Sequence, residues 1–258
     1  MARIVLAHGI LGFGSVFPLV PLDYFNGIHR PYTGLGHDVL CPTVPALGSI
    51  AVRSHELRQQ ILNRWPGGIE PVFLLGHSMG GLDCRYMLQN DSVLAARVRR
   101  LVTVATPHYG SPVASALLHP APLGLPSPIQ LLTGFFSGDA GALADLQTRT
   151  ALQSSNSPSV EYLCIGCDAT ATNPRSPLFA LAAAIGDFDS LKNDGVVSLD
   201  SASSSNDATS LFQTWPVDHG GAIGWPSGGL GRQTREAALR PPSDHLARFE
   251  DLLATLIA

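Results

Sequence analysis

Residues Gly76-His77-Ser78-Met79-Gly80 set a serine between two glycines. The apolar run Pro71-Val72-Phe73-Leu74-Leu75 precedes them, and the helix-like run from Gly81 to Leu88 follows. No other stretch restricts the fold as far. A short unbroken apolar run bounded by turn residues reads as a buried strand, and the longer run after it reads as a helix. A chain that passes from strand to helix through one tight turn forces the central side chain out of the backbone. Glycines two residues to either side leave room for the strand and the helix to approach. The pentapeptide therefore predicts a strand–turn–helix elbow that presents the Ser78 hydroxyl as a nucleophile.

The rest of the chain supplies a sheet for this elbow. Strands are expected over 3–7, 38–41, 71–75, 100–105 and 160–165, with a further strand-like run over 211–215. Helices are expected over 49–65, 78–89, 140–152 and 244–257, and 198–210 is Ser/Asp/Ala-rich and reads as a loop. Strands that alternate with helices predict parallel pairing through right-handed crossovers. Apolar runs without polar alternation fit strands covered on both faces. With 258 residues, 45% of them hydrophobic, the chain can build one α/β domain over 1–258.

Composition excludes several roles. A net charge of −4 gives no basic footprint, which argues against a nucleic-acid partner. No apolar run is long enough for an integral membrane segment. No secretory leader is legible ahead of the strand at Arg3, so the expected compartment is the cytoplasm as the sequence stands, or the exterior if a leader was removed. Cysteines stand at 41, 84, 164 and 167. Cys164-Ile165-Gly166-Cys167 is a C-x-x-C, but it lies in a strand-like run and not at a helix N-terminus, so ordinary buried thiols are expected. A zinc site would need a second ligand pair at matching spacing, and the sequence has none.

Residues 112–136 are apolar but are broken by five prolines and two glycines. They follow the end of a strand, where α/β proteins place their sites. Residues 112–152 are thus expected to form a cap or lid over an apolar cleft. The alternative is a helical excursion packed on the sheet.

A serine nucleophile needs a histidine to take its proton and a carboxylate to orient that histidine. In the fold that carries this elbow the order along the chain is serine, acid, histidine. Asp194, in Asn193-Asp194-Gly195-Val196-Val197, is the favoured acid, with Asp187, Asp189 and Asp200 as neighbouring candidates. His219, in the glycine-rich loop after 211–215, is the favoured base, with His245 in the first turn of the last helix as the alternative. Oxyanion donors are expected from the backbone N–H of Met79 and of Ile10, the latter in the loop His8-Gly9-Ile10. Phe13, Phe17, Leu117 and Leu132, with Val16 and Leu19, are candidates to bind an acyl chain, and each could equally be core packing. No cofactor and no metal are expected.

The fold class that follows is the α/β-hydrolase fold. It has a mostly parallel central sheet, helices on both faces and an apolar cap insertion. The expected chemistry is cleavage of carboxylic esters of lipid-like substrates through an acyl-enzyme. Its partners would be a lipid or small ester and a lipid–water interface. Rival readings are a soluble carboxylesterase, thioesterase or polyester depolymerase on the same triad, or a non-catalytic hydrolase scaffold that binds lipid or a partner.

Four segments together carry a family resemblance. They are Leu6-Ala7-His8-Gly9-Ile10-Leu11-Gly12-Phe13, Asp23-Tyr24-Phe25-Asn26-Gly27-Ile28, Gly76-His77-Ser78-Met79-Gly80-Gly81 and Ala105-Thr106-Pro107-His108-Tyr109-Gly110-Ser111. In this order they resemble the bacterial triacylglycerol lipases of the Pseudomonas and Burkholderia type, densely over 3–112 and patchily beyond. The resemblance implies Ser78, Asp194 and His219 as triad, Ile10 and Met79 as oxyanion donors, and 112–136 as the lid region. It also implies a calcium-ligating aspartate two residues after the catalytic histidine. This chain has Gly221 there, so no calcium is expected. The family's secretion signal and paired disulfide cysteines are likewise not evident.

Overall fold

The computed structural model describes residues 1–10, 23–67, 70–118, 141–147, 156–170, 188, 191–203, 205, 210–224 and 244–258. Its centre is a six-stranded, all-parallel sheet made of β1 (Arg3–Ala7), β2 (Asp38–Leu40), β3 (Val72–His77), β4 (Val98–Val104), β5 (Glu161–Cys167) and β6 (Gln213–Trp215), in the spatial order β2-β1-β3-β4-β5-β6. The described helices are α1 (His29–Gly34), α2 (Ile50–Arg64), α3 (Met79–Asn90), α4 (Ser92–Ala95), α5 (Pro112–Leu118), α6 (Gly141–Asp145), α7 (Leu199–Ala202) and α8 (Asp244–Ile257). None of them is long and apolar enough to cross a membrane.

The apolar runs are explained by helices on both faces. Ile4 and Leu6 of β1 and Phe73 and Leu75 of β3 face one way, into a core closed by Tyr32 of α1 and by Phe249, Leu252 and Leu256 of α8. Val5, Ala7, Val72 and Leu74 face the other way, onto Leu57 and Ile61 of α2 and Cys84, Met87 and Leu88 of α3. Successive side chains of a strand point to opposite faces, so a strand covered twice must be apolar throughout. The Tyr32 hydroxyl donates to the Phe249 carbonyl at 2.7 Å, which ties the two helices of the first face together.

Several elements differ from the sequence reading. β3 runs on to His77, so the strand leads straight into the elbow. The region expected as loop at 198–210 contains α7, because the Ser198 side chain accepts from the Ser201 N–H and caps one helical turn. Leu199 then packs onto β5, where a Cβ on Gly166 would meet its side chain at 2.6 Å. Helix α1 was not anticipated, since six residues are too few to display a period. Helix was expected over 140–152, but α6 ends at Asp145 and Leu146 and Gln147 are turn and bend, with 140 and 148–155 outside the described residues. All four cysteines are free, and Cys164 and Cys167 are buried on β5.

The pairing register lines up the C-terminal ends of the strands. Ala7 pairs with Gly76, His77 with Val104, and Cys167 with Trp215. The segments that leave these ends carry His8–Ile10, Ser78 and His219, so the sheet gathers them along one edge.

Candidate active site

Ser78 stands between β3 and α3 with φ 55° and ψ −131°, a conformation that costs an L-residue energy. Its surroundings hold it there. Its N–H donates to the Val104 carbonyl at 2.9 Å, and its own carbonyl accepts from Thr106 Oγ1 at 2.9 Å and from the Gly81 N–H at 3.1 Å. The flanking glycines are required by contact. A Cβ on Gly76 would lie 2.5 Å from the Gly81 backbone, and one on Gly80 would overlap the Ala7 carbonyl.

The structure brings Ser78, His219 and Asp194 into one line. His219 Nε2 lies 2.9 Å from Ser78 Oγ, and His219 Nδ1 lies 2.8 Å from Asp194 Oδ2. Asp194 is fully buried, and its second oxygen, Oδ1, accepts from the N–H groups of Val196 and Val197 at 2.9 and 2.7 Å. This turn is why a carboxylate just ahead of Gly195 can aim an oxygen at an imidazole. The His219 N–H donates to the Asp194 carbonyl at 3.0 Å, so main chain and side chain of the pair are tied together.

His245 is elsewhere. It is buried, not solvated as its helix-start position suggested, and its Nε2 lies 3.0 Å from the Asn26 carbonyl. It packs so closely on Gly224 that a Cβ there would lie 2.5 Å from the ring. Asp200 sits in the first turn of α7, and Asp187 and Asp189 lie outside the described residues.

Met79 is the first residue of α3, so its N–H has no acceptor within the helix and points out of the helix N-terminus beside Ser78. The β1 loop runs against the same serine, for a Cβ on Gly9 would lie 2.7 Å from Ser78 Cβ. Ile10 follows, and its side chain packs on the cluster of Ile50, Met79 and Leu82, joined by Ala114, Ala142, Leu143 and Leu146 from the described parts of 112–152. The other candidates for the acyl site, Phe13, Phe17 and Leu132, lie outside the described residues, as does the side chain of Leu117.

One residue that sequence reasoning missed governs this loop. Arg53, fully buried on α2, pairs with Asp83 at 2.8 Å and donates from Nη2 to the His8 carbonyl at 2.8 Å and from Nη1 to the Pro45 carbonyl at 2.8 Å. With its carbonyls turned toward Arg53, the loop can turn N–H groups toward the serine. Burial lifts the Asp83 carboxyl to about 6, against the pull of Arg53. The only sequence signal was an arginine on the apolar face of a helix.

Burial also holds three histidines neutral. His8 falls to about 4 by burial and then by the Arg53 charge. His108 falls to about 3 by burial and then by the Arg85 charge, and His77 falls well below its ordinary value by burial and then by the facing His219.

The loop after His219 does not fit a calcium ligand. Gly221 has no side chain, its carbonyl accepts from Arg248 Nη2 at 3.1 Å, and its N–H donates to Asp218 Oδ1 at 2.6 Å. Among the described residues no group of three or more His, Cys, Asp or Glu could hold a metal ion.

The chain is similar in sequence and in fold to known proteins. Residues 55–118 match the family model of a PGAP1-like alpha/beta domain. The chain is 35% identical over 144 residues to a triacylglycerol lipase of Vibrio cholerae, covering 55% of this chain and 44% of that protein. It is 34% identical over 115 residues to a triacylglycerol lipase of Pseudomonas fragi, covering 44% and 37%. The matches thus span less than half the length of either relative. Among solved structures, the mature lipase BlEst2 of Bacillus licheniformis superposes with a TM-score of 0.65 at 20% identity, covering 93% of this chain and 92% of that one. The chain has the α/β-hydrolase fold, and the curated proteins it resembles in sequence are triacylglycerol lipases.

Proposed function

We propose that this chain hydrolyses carboxylic esters of lipid-like substrates through an acyl-enzyme on Ser78. The observation that carries the reading is the continuous line from Ser78 Oγ through the His219 imidazole to a fully buried Asp194, with distances of 2.9 and 2.8 Å.

In this reading His219 Nε2 takes the hydroxyl proton as Ser78 Oγ attacks the ester carbonyl carbon. Negative charge gathers on the carbonyl oxygen, and the N–H groups of Met79 and Ile10 receive it. Asp194 keeps the proton of the resting imidazole on Nδ1 and stabilises the imidazolium that forms. His219 then returns its proton to the departing alcohol. Water, deprotonated by the same imidazole, attacks the acyl-enzyme, and collapse of the second tetrahedral intermediate frees the acid and restores Ser78. No step needs a cofactor.

The lipid-like acyl group is supported by the apolar character of the cap region 112–152, whose described parts pack beside Met79 and Ile10, and by the names of the relatives. We assign that region as the cover of the acyl site. Tributyrin hydrolysis measured below and above the solubility limit tests it, and a jump at the limit is expected of a cover that opens on an interface.

Ser78→Ala tests the mechanism. Turnover of p-nitrophenyl butyrate is expected to fall on the order of 10^5- to 10^6-fold, and labelling by a fluorophosphonate is expected to vanish. Undiminished turnover in the variant would refute the nucleophile.

A further inference from the structure

Asp194 orients His219 from one side. On the other side is a second chain of hydrogen bonds that the mechanism above leaves unused. His77, the last residue of β3 and the neighbour of the nucleophile, is 2% exposed. Its Nε2 lies 3.1 Å from the backbone carbonyl of His219, and its ring centroid lies 4.9 Å from that of the His219 imidazole. A carbonyl can only accept, so His77 Nε2 carries the hydrogen. In a neutral imidazole Nδ1 is then a bare acceptor, and the Tyr24 hydroxyl lies 2.8 Å from it. Tyr24 must donate.

The Tyr24 hydroxyl is held from behind by the oxyanion loop. The Gly9 backbone hydrogen-bonds the phenol oxygen. A Cβ on Gly9 would lie 2.7 Å from that oxygen and 2.7 Å from Ser78 Cβ, so loop, hydroxyl and nucleophile are in contact. The turn that carries Tyr24 is itself pinned by Asp23, which accepts from the N–H groups of Phe25 and Gly27 at 3.2 and 2.7 Å. The chain from Gly9 through Tyr24 and His77 to the His219 carbonyl therefore has one direction throughout.

We propose that Tyr24 and His77 are positioning residues, which tie the oxyanion loop to the main chain of the catalytic histidine and so keep base, nucleophile and oxyanion donors in one register. The proposal rests on the Ser78–His219–Asp194 reading and deepens it. With the His219 N–H on Asp194 and its carbonyl on His77, both backbone groups of the base are fixed, and the imidazole is left little freedom to drift from Ser78 Oγ. A neutral His77 suits this place. When His219 takes the serine proton, a second positive charge on the neighbouring ring would oppose it, and burial keeps His77 uncharged.

The test uses the full chain, p-nitrophenyl butyrate kinetics and the rate of fluorophosphonate labelling, on Tyr24→Phe, His77→Leu, His77→Gln and the double variant Tyr24→Phe/His77→Leu. Misplacing a base by a fraction of an ångström slows chemistry without weakening substrate binding. His77→Leu is expected to lower kcat about 10- to 100-fold with KM changed by no more than about two-fold. Tyr24→Phe is expected to lower kcat by roughly five- to tenfold with KM equally steady, a partial loss of positioning. His77→Gln keeps a donor and an acceptor on one planar group and is expected to recover most of the loss. The double variant is expected to be no slower than His77→Leu, because the hydroxyl acts through the imidazole.

Three results overturn the proposal: an unchanged kcat in Tyr24→Phe, a His77→Gln as slow as His77→Leu, or losses that multiply in the double variant. If His77→Leu does not fold, Tyr24→Phe alone decides, since it deletes one oxygen and keeps the ring. Wild-type protein with neither turnover nor labelling would instead sink the Ser78 reading, so the two failures are distinguishable.

Discussion

Ser78, Met79 and Ile10 stand beside the central strands β1 and β3, whereas Asp194 and His219 stand on loops before and after the edge strand β6. The central group is shaped by exclusion. Glycine at 76 and at 80 lets β1, β3 and α3 close up, and the serine between them takes a left-handed φ. The edge group is shaped by directed bonds. Asp194 spends one oxygen on its own turn and the other on His219, and His219 is also fixed through its N–H on the Asp194 carbonyl and its carbonyl on His77. Steric shaping is local in sequence and tolerates no added atom. Shaping by hydrogen bonds joins residues far apart in sequence and depends on which atom carries a proton.

The largest effect is expected where one proton decides the outcome. Asp194→Asn keeps an oxygen for the Val196 and Val197 N–H groups but turns an N–H toward His219 Nδ1. The imidazole must then carry its hydrogen on Nε2 and cannot take the serine proton. A fall in kcat of roughly 10^3- to 10^4-fold is expected with little change in thermal stability. A variant with near wild-type kcat would break the contrast, since the edge group would then not depend on proton placement.

This contrast also explains what the sequence disclosed. The elbow was legible because its glycines and its serine are contiguous, and the strands were legible because burial on both faces makes them unbroken apolar runs. The Ile10 loop followed from the elbow. Asp194 was legible from its glycine turn, yet Asp187, Asp189 and Asp200 competed because a carboxylate in a turn looks alike whether it caps or catalyses. His245 competed with His219 because its burial beneath Gly224 is a tertiary fact. Arg53 left only its place on an apolar helix face, and neither its role nor that of Tyr24 could be read locally, for their partners at His8, Asp83 and His77 lie 30 to 53 residues away. Helix α7 was missed because one serine cap and one buried leucine outweighed a composition that reads as loop.

The central group can be probed through Arg53. Arg53→Met leaves Asp83 buried without its partner and is expected to cost about 3–5 kcal/mol in urea unfolding. It also releases the His8 carbonyl, so kcat is expected to fall as well. Adding Asp83→Leu should restore most of the stability and none of the kcat, because the loop still lacks its donor. Recovery of both would show that Arg53 acts on the fold alone.

Acid is expected to act mainly through the same central group. His8 and His77 are buried there and His108 nearby against Thr103 and Cys164, all with lowered values, so the unfolded chain binds protons that the folded chain refuses. Their contribution is full above their ordinary value near 6.5 and is lost as pH falls toward about 4, where His8 titrates when folded. Asp83, raised to about 6, works in the opposite sense over the lower part of that window. Unfolding free energy is expected to fall as pH drops from about 6 to about 4. His108→Gln should flatten that slope by about 1.4 kcal/mol per unit. A slope unchanged in this variant would place the acid sensitivity elsewhere.

The smallest effect is expected at the edge, from Asp218. This buried side chain accepts from the Gly221 N–H through Oδ1, at the first residue of the short 3-10 turn Gly221–Ile223 that follows the base. Its other oxygen, Oδ2, has no hydrogen-bond partner among the described residues. Asp218→Ala removes this hydrogen bond, which by itself costs on the order of 1 kcal/mol. It also removes a buried oxygen that no described residue satisfies, and that gain offsets part of the cost. The position of His219 does not depend on this bond, because Asp194 takes its N–H and His77 its carbonyl. Stability is therefore expected to fall by about 1 kcal/mol or less, with kcat within about threefold of wild type. A hundredfold loss of kcat would mean that the base loop hangs on one side chain, and the edge group would then be as intolerant of a single deletion as the centre is of a single added methyl.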